Sequence, residues 1–179
     1  LADHCRKIDV NFDDYEEWFG KSREQFIDIL RYAQQRHISI IPELDVPAHS
    51  RAARWAMQPM LDNPVMATRE MPRPDFRDNV IAVMQEETYV FIDQVITDIQ
   101  AMYEEAGCAL PYLNIGGDEV PEGILTEEEQ QSFCNRMLAI LQRHGLQPAG
   151  WEEISAFCPA ASQPLCLNWH NGPEHLQAL

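Results

Sequence analysis

The sequence predicts an α/β fold with a parallel sheet, arranged as part of a (β/α)8 TIM barrel. Amphipathic helices alternate with short apolar strands along the chain, a pattern typical of right-handed βαβ units. Charged and aromatic residues gather at the carboxyl ends of these strands, where such a barrel builds its active site. A length of 179 residues fits one domain, so we predict that residues 1–179 are a fragment of a single (β/α)8 domain.

Three helices are predicted from apolar residues at helical spacing and from residues that cap helix ends. They cover residues 22–36, 88–106 and 126–144. Ser22 with Gln25, and Thr126 with Glu129, have the spacing of a capping box at a helix start. Gly107 is placed to end the second helix.

Four short strands are predicted between and after these helices. They cover residues 38–41, 112–115, 147–151 and 165–169. The stretch 43–86 is rich in Pro, Arg and Met and shows no sustained period. A connection of that length within one domain is usually functional or disordered.

Composition and charge exclude some partner classes. The chain is 45% hydrophobic and 23% charged, as in an ordinary globular protein. Its net charge of −16 argues against nucleic acid, which is bound by clustered Lys and Arg. A neutral or weakly cationic substrate is compatible with this charge. No apolar stretch is long enough for a membrane span.

Five cysteines are present, and none forms a C-x-x-C pair or a zinc-type spacing with His. They are Cys5, Cys108, Cys134, Cys158 and Cys166. The odd count leaves at least one thiol unpaired within the chain, and the compartment stays open on this basis. The chain begins without an initiator Met and stops just after Pro173, which is placed to open another helix. We therefore expect a piece of a longer protein.

The sharpest local signal is the run of two glycines and two acids at residues 116–119. Glycines permit a tight turn or a close approach of a ligand. Asp118 and Glu119 then stand together at a strand end, and a pair of carboxylates is what glycoside cleavage usually requires. An isolated run of this kind is also compatible with a turn that carries solvated acids.

The surrounding motifs resemble glycoside hydrolase family 20. Residues 41–53, Ile-Pro-Glu-Leu-Asp-Val-Pro-Ala-His-Ser-Arg-Ala-Ala, resemble its third-strand motif, in the form found in bacterial chitobiases. Residues 26–33 match the same group, and residues 112–120 look like the fourth strand with its Asp-Glu signature. Residues 149–153 and 167–169 are similar to the fifth and sixth strand ends. The resemblance implies barrel strands three to six with their helices.

The resemblance also implies a mechanism. Glu119 would be the general acid/base, and burial beside Asp118 would raise its pKa. Asp118 would accept a hydrogen bond from the N–H of the substrate's acetamido group, whose oxygen attacks the anomeric carbon. No protein nucleophile and no cofactor is needed. The implied substrate is a β-linked N-acetylhexosaminide, either chitobiose or a glycan terminus.

Further residues are implied to support this pair. Asp45, His49 and Glu43 would form a hydrogen-bond network around the acids, although a loop histidine is the plain alternative for His49. We predict no metal site, because no second His or Cys lies at ligand spacing. Trp151 and Trp169 would wall the sugar pocket, or belong to the barrel core instead.

Some predictions concern single residues. Glu152 is a weaker candidate for binding sugar hydroxyls. Trp18 and Trp55 match no motif, so packing is their default role. Family members commonly carry His where this chain has Asn114, which cannot hold a charge.

Two other functions stay open. The first is a carbohydrate-binding or structural module without turnover, and the second is a retaining glycosidase with a protein nucleophile. By resemblance the protein would be periplasmic, outer-membrane-associated or secreted. A half barrel leaves sheet edges open, so we expect the isolated piece to self-associate and to be nearly inactive.

Overall fold

The computed structural model of the protein describes residues 22–56, 79–159, 162 and 164–168. Helices and strands alternate over most of this part of the chain. In chain order the elements are α1 (Arg23–Gln34), β1 (Glu43–Val46), α2 (Arg51–Ala56), α3 (Glu86–Ala106), β2 (Tyr112–Gly116), α4 (Glu127–Arg143), β3 (Gln147–Trp151), α5 (Glu152–Ser155) and β4 (Leu165–Leu167).

The four strands form one sheet in the order β1-β2-β3-β4, and every neighbouring pair is parallel. This confirms the predicted parallel α/β arrangement. Sequential order with a helix between neighbours is how a (β/α)8 barrel is built. All carboxyl ends lie at one edge of the sheet, so the loops after β1, β2 and β3 are brought together there.

The main apolar core joins the sheet to α3 and α4. Its fully buried side chains include Ile92 and Ile96 of α3, Leu113 and Ile115 of β2, and Phe133 of α4. Each large side chain of this kind contributes about 2 kcal/mol when it is removed from water. A second cluster packs α1 on α3.

The predicted helix ends are confirmed. Both capping boxes are present, with Ser22 and Thr126 each accepting a hydrogen bond from the backbone N–H three residues on. Gly107 ends α3 in the left-handed conformation, with a φ of 72°. Local sequence therefore fixes these three helix boundaries to within about two residues.

The prediction of a strand at residues 38–41 is wrong. The strand is instead β1 (Glu43–Val46), which pairs with β2 so that Glu43 stands opposite Asn114 and, after a shift of register, Val46 stands opposite Gly116. Ile38 and Ile41 are 57% and 40% exposed, whereas Ile40 packs against the cluster between α1 and α3. The apolar run thus serves as a connection that is anchored at one side chain.

Some predictions fall on residues outside the described part of the chain. They concern Trp18, Trp169, a helix after Pro173, and the side chain of Trp55. The fourth strand ends at Leu167 rather than at residue 169. Within the described ranges no helix is long and apolar enough to cross a membrane.

Candidate active site

Asp118 and Glu119 stand directly beyond the carboxyl end of β2. The chain reaches them through Gly116 and Gly117, whose φ angles are 66° and 93°. These values belong to the left-handed region that glycine adopts without cost. The double glycine therefore ends the strand and lets the two acids leave it together.

Close packing at these glycines brings neighbouring elements to the acids. A Cβ atom on Gly116 would lie 2.0 Å from Oδ1 of Asp45. A Cβ atom on Gly117 or on Gly150 would overlap the side chain of Ile154, at 2.3 Å and 2.6 Å. The glycines are thus required for Asp45 of β1 to approach the turn, and Ile154 of α5 supports the turn from the other side.

Asn114 braces the same turn. Its side chain is 3% exposed, and its Oδ1 accepts a hydrogen bond of 2.9 Å from the backbone N–H of Gly116. The bond is to the backbone of the turn, which is an uncharged structural role.

His49 lies between the two acids. Its Nε2 is 3.4 Å from Oδ2 of Asp118 and 3.3 Å from Oε2 of Glu119. The side chains of these three residues are 32%, 14% and 47% exposed, in the order His49, Asp118, Glu119. Glu119 is therefore less buried than the sequence led us to expect, because it stands in an open turn beyond the strand.

Backbone strain is concentrated at this contact. His49 and Glu119 both adopt positive φ angles, 53° and 50°, which side chains other than glycine rarely take. Such conformations persist where the surroundings fix them and are frequent at functional sites. Here the hydroxyl of buried Ser50 lies 3.1 Å and 3.0 Å from the carbonyl oxygens of Pro47 and Ala48, which fixes the loop.

A second segment holds the same loop from outside. Ser50 donates its backbone N–H to the carbonyl oxygen of Asn79 at 2.9 Å, and Ile81 donates to that of Pro47 at 2.8 Å. Sequence reasoning missed Ser50 and Ile154 as supports of the site. The only feature of the sequence that pointed to Ser50 as a support was its small hydroxyl next to His49 of the motif. No feature of the sequence pointed to Ile154.

Asp45 is held in its protonated form near neutral pH. Burial raises its pKa to about 8, assisted by the negative charge of Asp118, a hydrogen bond to Asp118 and the charge of Glu43. Oδ1 of Asp45 and Oδ1 of Asp118 are both buried, and neither receives a donor from the described residues. A proton on Asp45 supplies that donor, so Asp45 can donate to Asp118.

Trp151 is oriented from two strands away. Its indole Nε1–H donates to Oε1 of Glu43 at 2.9 Å, across the intervening β2. We predicted that Glu43 belongs to the hydrogen-bond network around the acids. Its carboxylate accepts its hydrogen bond from the indole of Trp151, and its negative charge raises the pKa of Asp45. Glu152, the first residue of α5, is half-buried beside Trp151.

Comparison with known proteins identifies the chain. The sequence model of the glycosyl hydrolase family 20 catalytic domain matches residues 20–130, more than half of the chain. The chain belongs to glycosyl hydrolase family 20. The matched range contains Glu43, Asp45, His49, Asp118 and Glu119.

Two curated relatives are similar to this chain. Beta-hexosaminidase B of Pseudoalteromonas piscicida is 31% identical over 175 residues, which cover 80% of this chain and 22% of the relative. N,N'-diacetylchitobiase of Vibrio harveyi is 34% identical over 116 residues, covering 55% and 13%. This chain thus spans about a quarter or less of the relatives that it matches.

A solved family 20 structure has the same fold. It is the exo beta-N-acetylglucosaminidase from Vibrio harveyi in complex with N-acetylglucosamine, with a TM-score of 0.74 and 29% identity. The match covers 87% of this chain and 26% of that one. The predicted partial (β/α)8 barrel is confirmed by this match together with the parallel four-stranded sheet.

The structure brings most of the predicted site residues to one edge of the sheet. Asp45, His49, Asp118 and Glu119 form one cluster, which Glu43 and Trp151 extend across the sheet. Side-chain atoms of Asp45, His49 and Asp118 lie within 4.8 Å of one another, which is also close enough for a shared cation. The sequence had predicted no metal site.

Proposed function

We propose that this chain supplies the catalytic acids of an enzyme that hydrolyses terminal β-linked N-acetylhexosamine residues, with retention and with the substrate's acetamido group as nucleophile. The observation that carries the proposal is the contact of one imidazole, that of His49, with both Asp118 and Glu119 at a strand end. The names of the family 20 relatives, beta-hexosaminidase and chitobiase, support the substrate class.

Glu119 suits the role of acid/base. Its side chain is 47% exposed, so the leaving oxygen of a substrate can reach its carboxyl group. His49 lies within 3.3 Å and fixes the position of that group. In the first step Glu119 gives its proton to the leaving oxygen as the glycosidic bond breaks. In the second step it takes a proton from the water that opens the cyclic intermediate.

Asp118 suits the role of acetamido acceptor. Its side chain is 14% exposed, between His49 and the protonated Asp45. The imidazole of His49, 3.4 Å from Oδ2, and a hydrogen bond from protonated Asp45 orient the carboxylate before substrate arrives, and such preorganisation favours stabilisation of developing charge. The carboxylate then accepts the acetamido N–H while the carbonyl oxygen forms its bond to the anomeric carbon.

The acetamido route explains why no further carboxylate is required. In retaining enzymes with a protein nucleophile, the two carboxyl groups stand about 5 Å apart on opposite sides of the scissile bond. Asp118 and Glu119 are adjacent in sequence, and one oxygen of each lies near the same Nε2 atom, at 3.4 Å and 3.3 Å. We propose that this pair works with a nucleophile that the sugar itself supplies.

The Glu119→Gln variant tests the proposal in the protein that carries this chain. We expect a loss of about 10²- to 10⁴-fold in hydrolysis of an aryl N-acetylglucosaminide, because proton transfer contributes that much. Glu122→Gln is the matched control, since Glu122 is an exposed acid three residues away. Equal rates in the two variants would rule out Glu119 as the acid.

The two other functions give different outcomes. A carbohydrate-binding module would bind N-acetylglucosamine without hydrolysing the aryl glycoside, with or without Glu119. A glycosidase with a protein nucleophile would form a covalent bond to a carboxylate, detectable as an added mass on one peptide. A thiazoline mimic of the cyclised sugar would inhibit only an enzyme that uses the acetamido route.

Location and association stay predictions. We propose export to the periplasm, the outer membrane or the outside of the cell, which suits an enzyme acting on external glycans. Within the described sheet β1 and β4 each have a strand neighbour on one side. We therefore expect the 179-residue chain alone to self-associate and to be nearly inactive; its mass in solution measures this, and a monomer with full activity would contradict it.

A further inference from the structure

Two cysteines from different elements of the fold lie in contact. Sγ of Cys134 is 2.9 Å from Sγ of Cys158. Cys134 lies in the middle of α4 and is fully buried, whereas Cys158 follows α5 and is half-buried. A disulfide bond has a length of about 2.0 Å, so the two sulfurs need to approach by only about 1 Å.

We propose that Cys134 and Cys158 form a disulfide bond that ties α4 to the segment after α5. Two thiols lose their hydrogens, and a small external disulfide such as oxidised glutathione accepts both electrons and becomes two thiols. One S–S bond forms in the protein and one breaks in the reagent, so electrons and protons balance. Cys108 lies elsewhere in the fold, where its thiol is directed at the carbonyl oxygens of Leu30 and Ala106.

The two thiols have unequal roles in this exchange. The Cys134 thiol donates a hydrogen bond that lowers the pKa of Cys158, and the same contact together with burial raises the pKa of Cys134. Cys158 is also the more accessible of the two. Its thiolate attacks the external disulfide to give a mixed disulfide, and Cys134 then displaces the small thiol.

The bond would fasten a segment that supports the site. Residues 152–158 include Ile154, against which Gly117 and Gly150 pack, and the carbonyl oxygen of Phe157 accepts a hydrogen bond of 2.6 Å from Nε2 of Gln131 on α4. That hydrogen bond already joins the same two elements. A covalent link beside it restricts the segment that carries Ile154, without involving any group in the proposed chemistry.

The test is made on the protein that carries this chain, equilibrated in glutathione buffers and then alkylated without prior reduction. We expect a peptide pair linked through Cys134 and Cys158, lacking the alkyl groups and two hydrogen atoms. Prior treatment with dithiothreitol should leave both residues alkylated. Free Cys134 and Cys158 after equilibration with excess oxidised glutathione, or linkage of either one to another cysteine, would overturn the proposal.

A stability measurement tests whether the Cys134–Cys158 disulfide restrains the fold. For a closed loop of this length, oxidation should lower the unfolding equilibrium constant by on the order of 100-fold, and the gain should vanish in dithiothreitol. Amide exchange of residues 152–158 should slow on oxidation. Cys158→Ser should show neither effect, and Cys108→Ser, the matched control, should show both. Oxidation without any change in stability or exchange would contradict the proposed restraint.

Discussion

Gly116 lies so close to Asp45 that a Cβ atom on the glycine would stand 2.0 Å from Oδ1 of Asp45 and 2.8 Å from its Cα. Both sides of this contact matter to the proposed site. The backbone of β2 can approach β1 only without a side chain at residue 116. The approach places Asp45 beside Asp118, where its proton is needed.

Gly116→Ala should therefore damage both stability and the cluster of acids. The added methyl group costs left-handed strain of about 1–2 kcal/mol and also displaces Asp45. Gly145→Ala is the matched control, since Gly145 has a φ of 70° and a methyl group added there would meet nothing within 4 Å. Urea unfolding should show a clearly larger loss for Gly116→Ala. Equal losses of unfolding free energy in the two variants would show that the close approach of Gly116 to Asp45 does not contribute to stability.

The protonation of Asp45 predicts a pH dependence of stability. Its pKa is about 8 in the folded chain against an ordinary value of 3.8. Between these values the folded state holds a proton that the unfolded state has lost, so the free energy of unfolding falls as pH rises. The stabilising contribution is complete below about pH 4 and lost above about pH 8.

Asp45→Asn should remove this dependence, because the amide keeps a donor toward Asp118 and does not titrate. Unfolding free energies measured at about pH 5 and about pH 8 should differ less in the variant than in the unchanged chain. Asp28→Asn, at a site that is 76% exposed on α1, should leave the difference as it is. An undiminished difference in Asp45→Asn would show that Asp45 is already ionised.

The hydrogen bond between Trp151 and Glu43 predicts a positioning role for an exposed acid. If the indole forms a wall for the sugar, Glu43→Ala should raise KM by about five-fold with little change in kcat, since one such bond contributes about 1 kcal/mol. Glu43→Gln retains an acceptor and should restore most of the affinity. A fall in kcat alone, or no rescue by Gln, would place the action of Glu43 on Asp45 instead.

The hydrogen bond from Gly116 to Asn114 predicts that removing the Asn114 side chain lowers the free energy of unfolding more than removing a surface amide does. Asn114→Ala leaves the buried N–H of Gly116 without its acceptor, which should cost about 1–3 kcal/mol. Asn135→Ala, on the exposed face of α4, should cost much less. Chemical denaturation of both variants measures the difference. Similar losses of unfolding free energy in the two variants would show that Asn114 does not support the turn.

Local rules predicted the helices well. Ser22 and Thr126 define helix starts through hydrogen bonds within four residues, and Gly107 ends α3 by a conformation that glycine adopts freely. Such signals need no knowledge of the rest of the fold. The wrong position of β1 has the opposite cause. The polar strand at Glu43–Val46 exists because β2 pairs with it, and the more apolar run before it has no strand neighbour among the described residues.

The site was predictable in its residues and not in its contacts. The motifs named Asp45, His49, Asp118 and Glu119, and the parallel order of strands explains why they meet. The bond from Trp151 to Glu43 joins residues 108 positions apart and depends on their placement across β2. The support from Ile154 depends in the same way on packing against two glycines.

The most direct test of the central claim is the rate of hydrolysis of aryl glycosides whose N-acetyl group carries no, one, two or three fluorine atoms. Fluorine withdraws electrons from the carbonyl oxygen, so an enzyme in which Asp118 aligns that oxygen as nucleophile should slow with each fluorine added. The protein that carries this chain is predicted to show this steady decline in kcat/KM. A rate that is independent of fluorination would contradict the account.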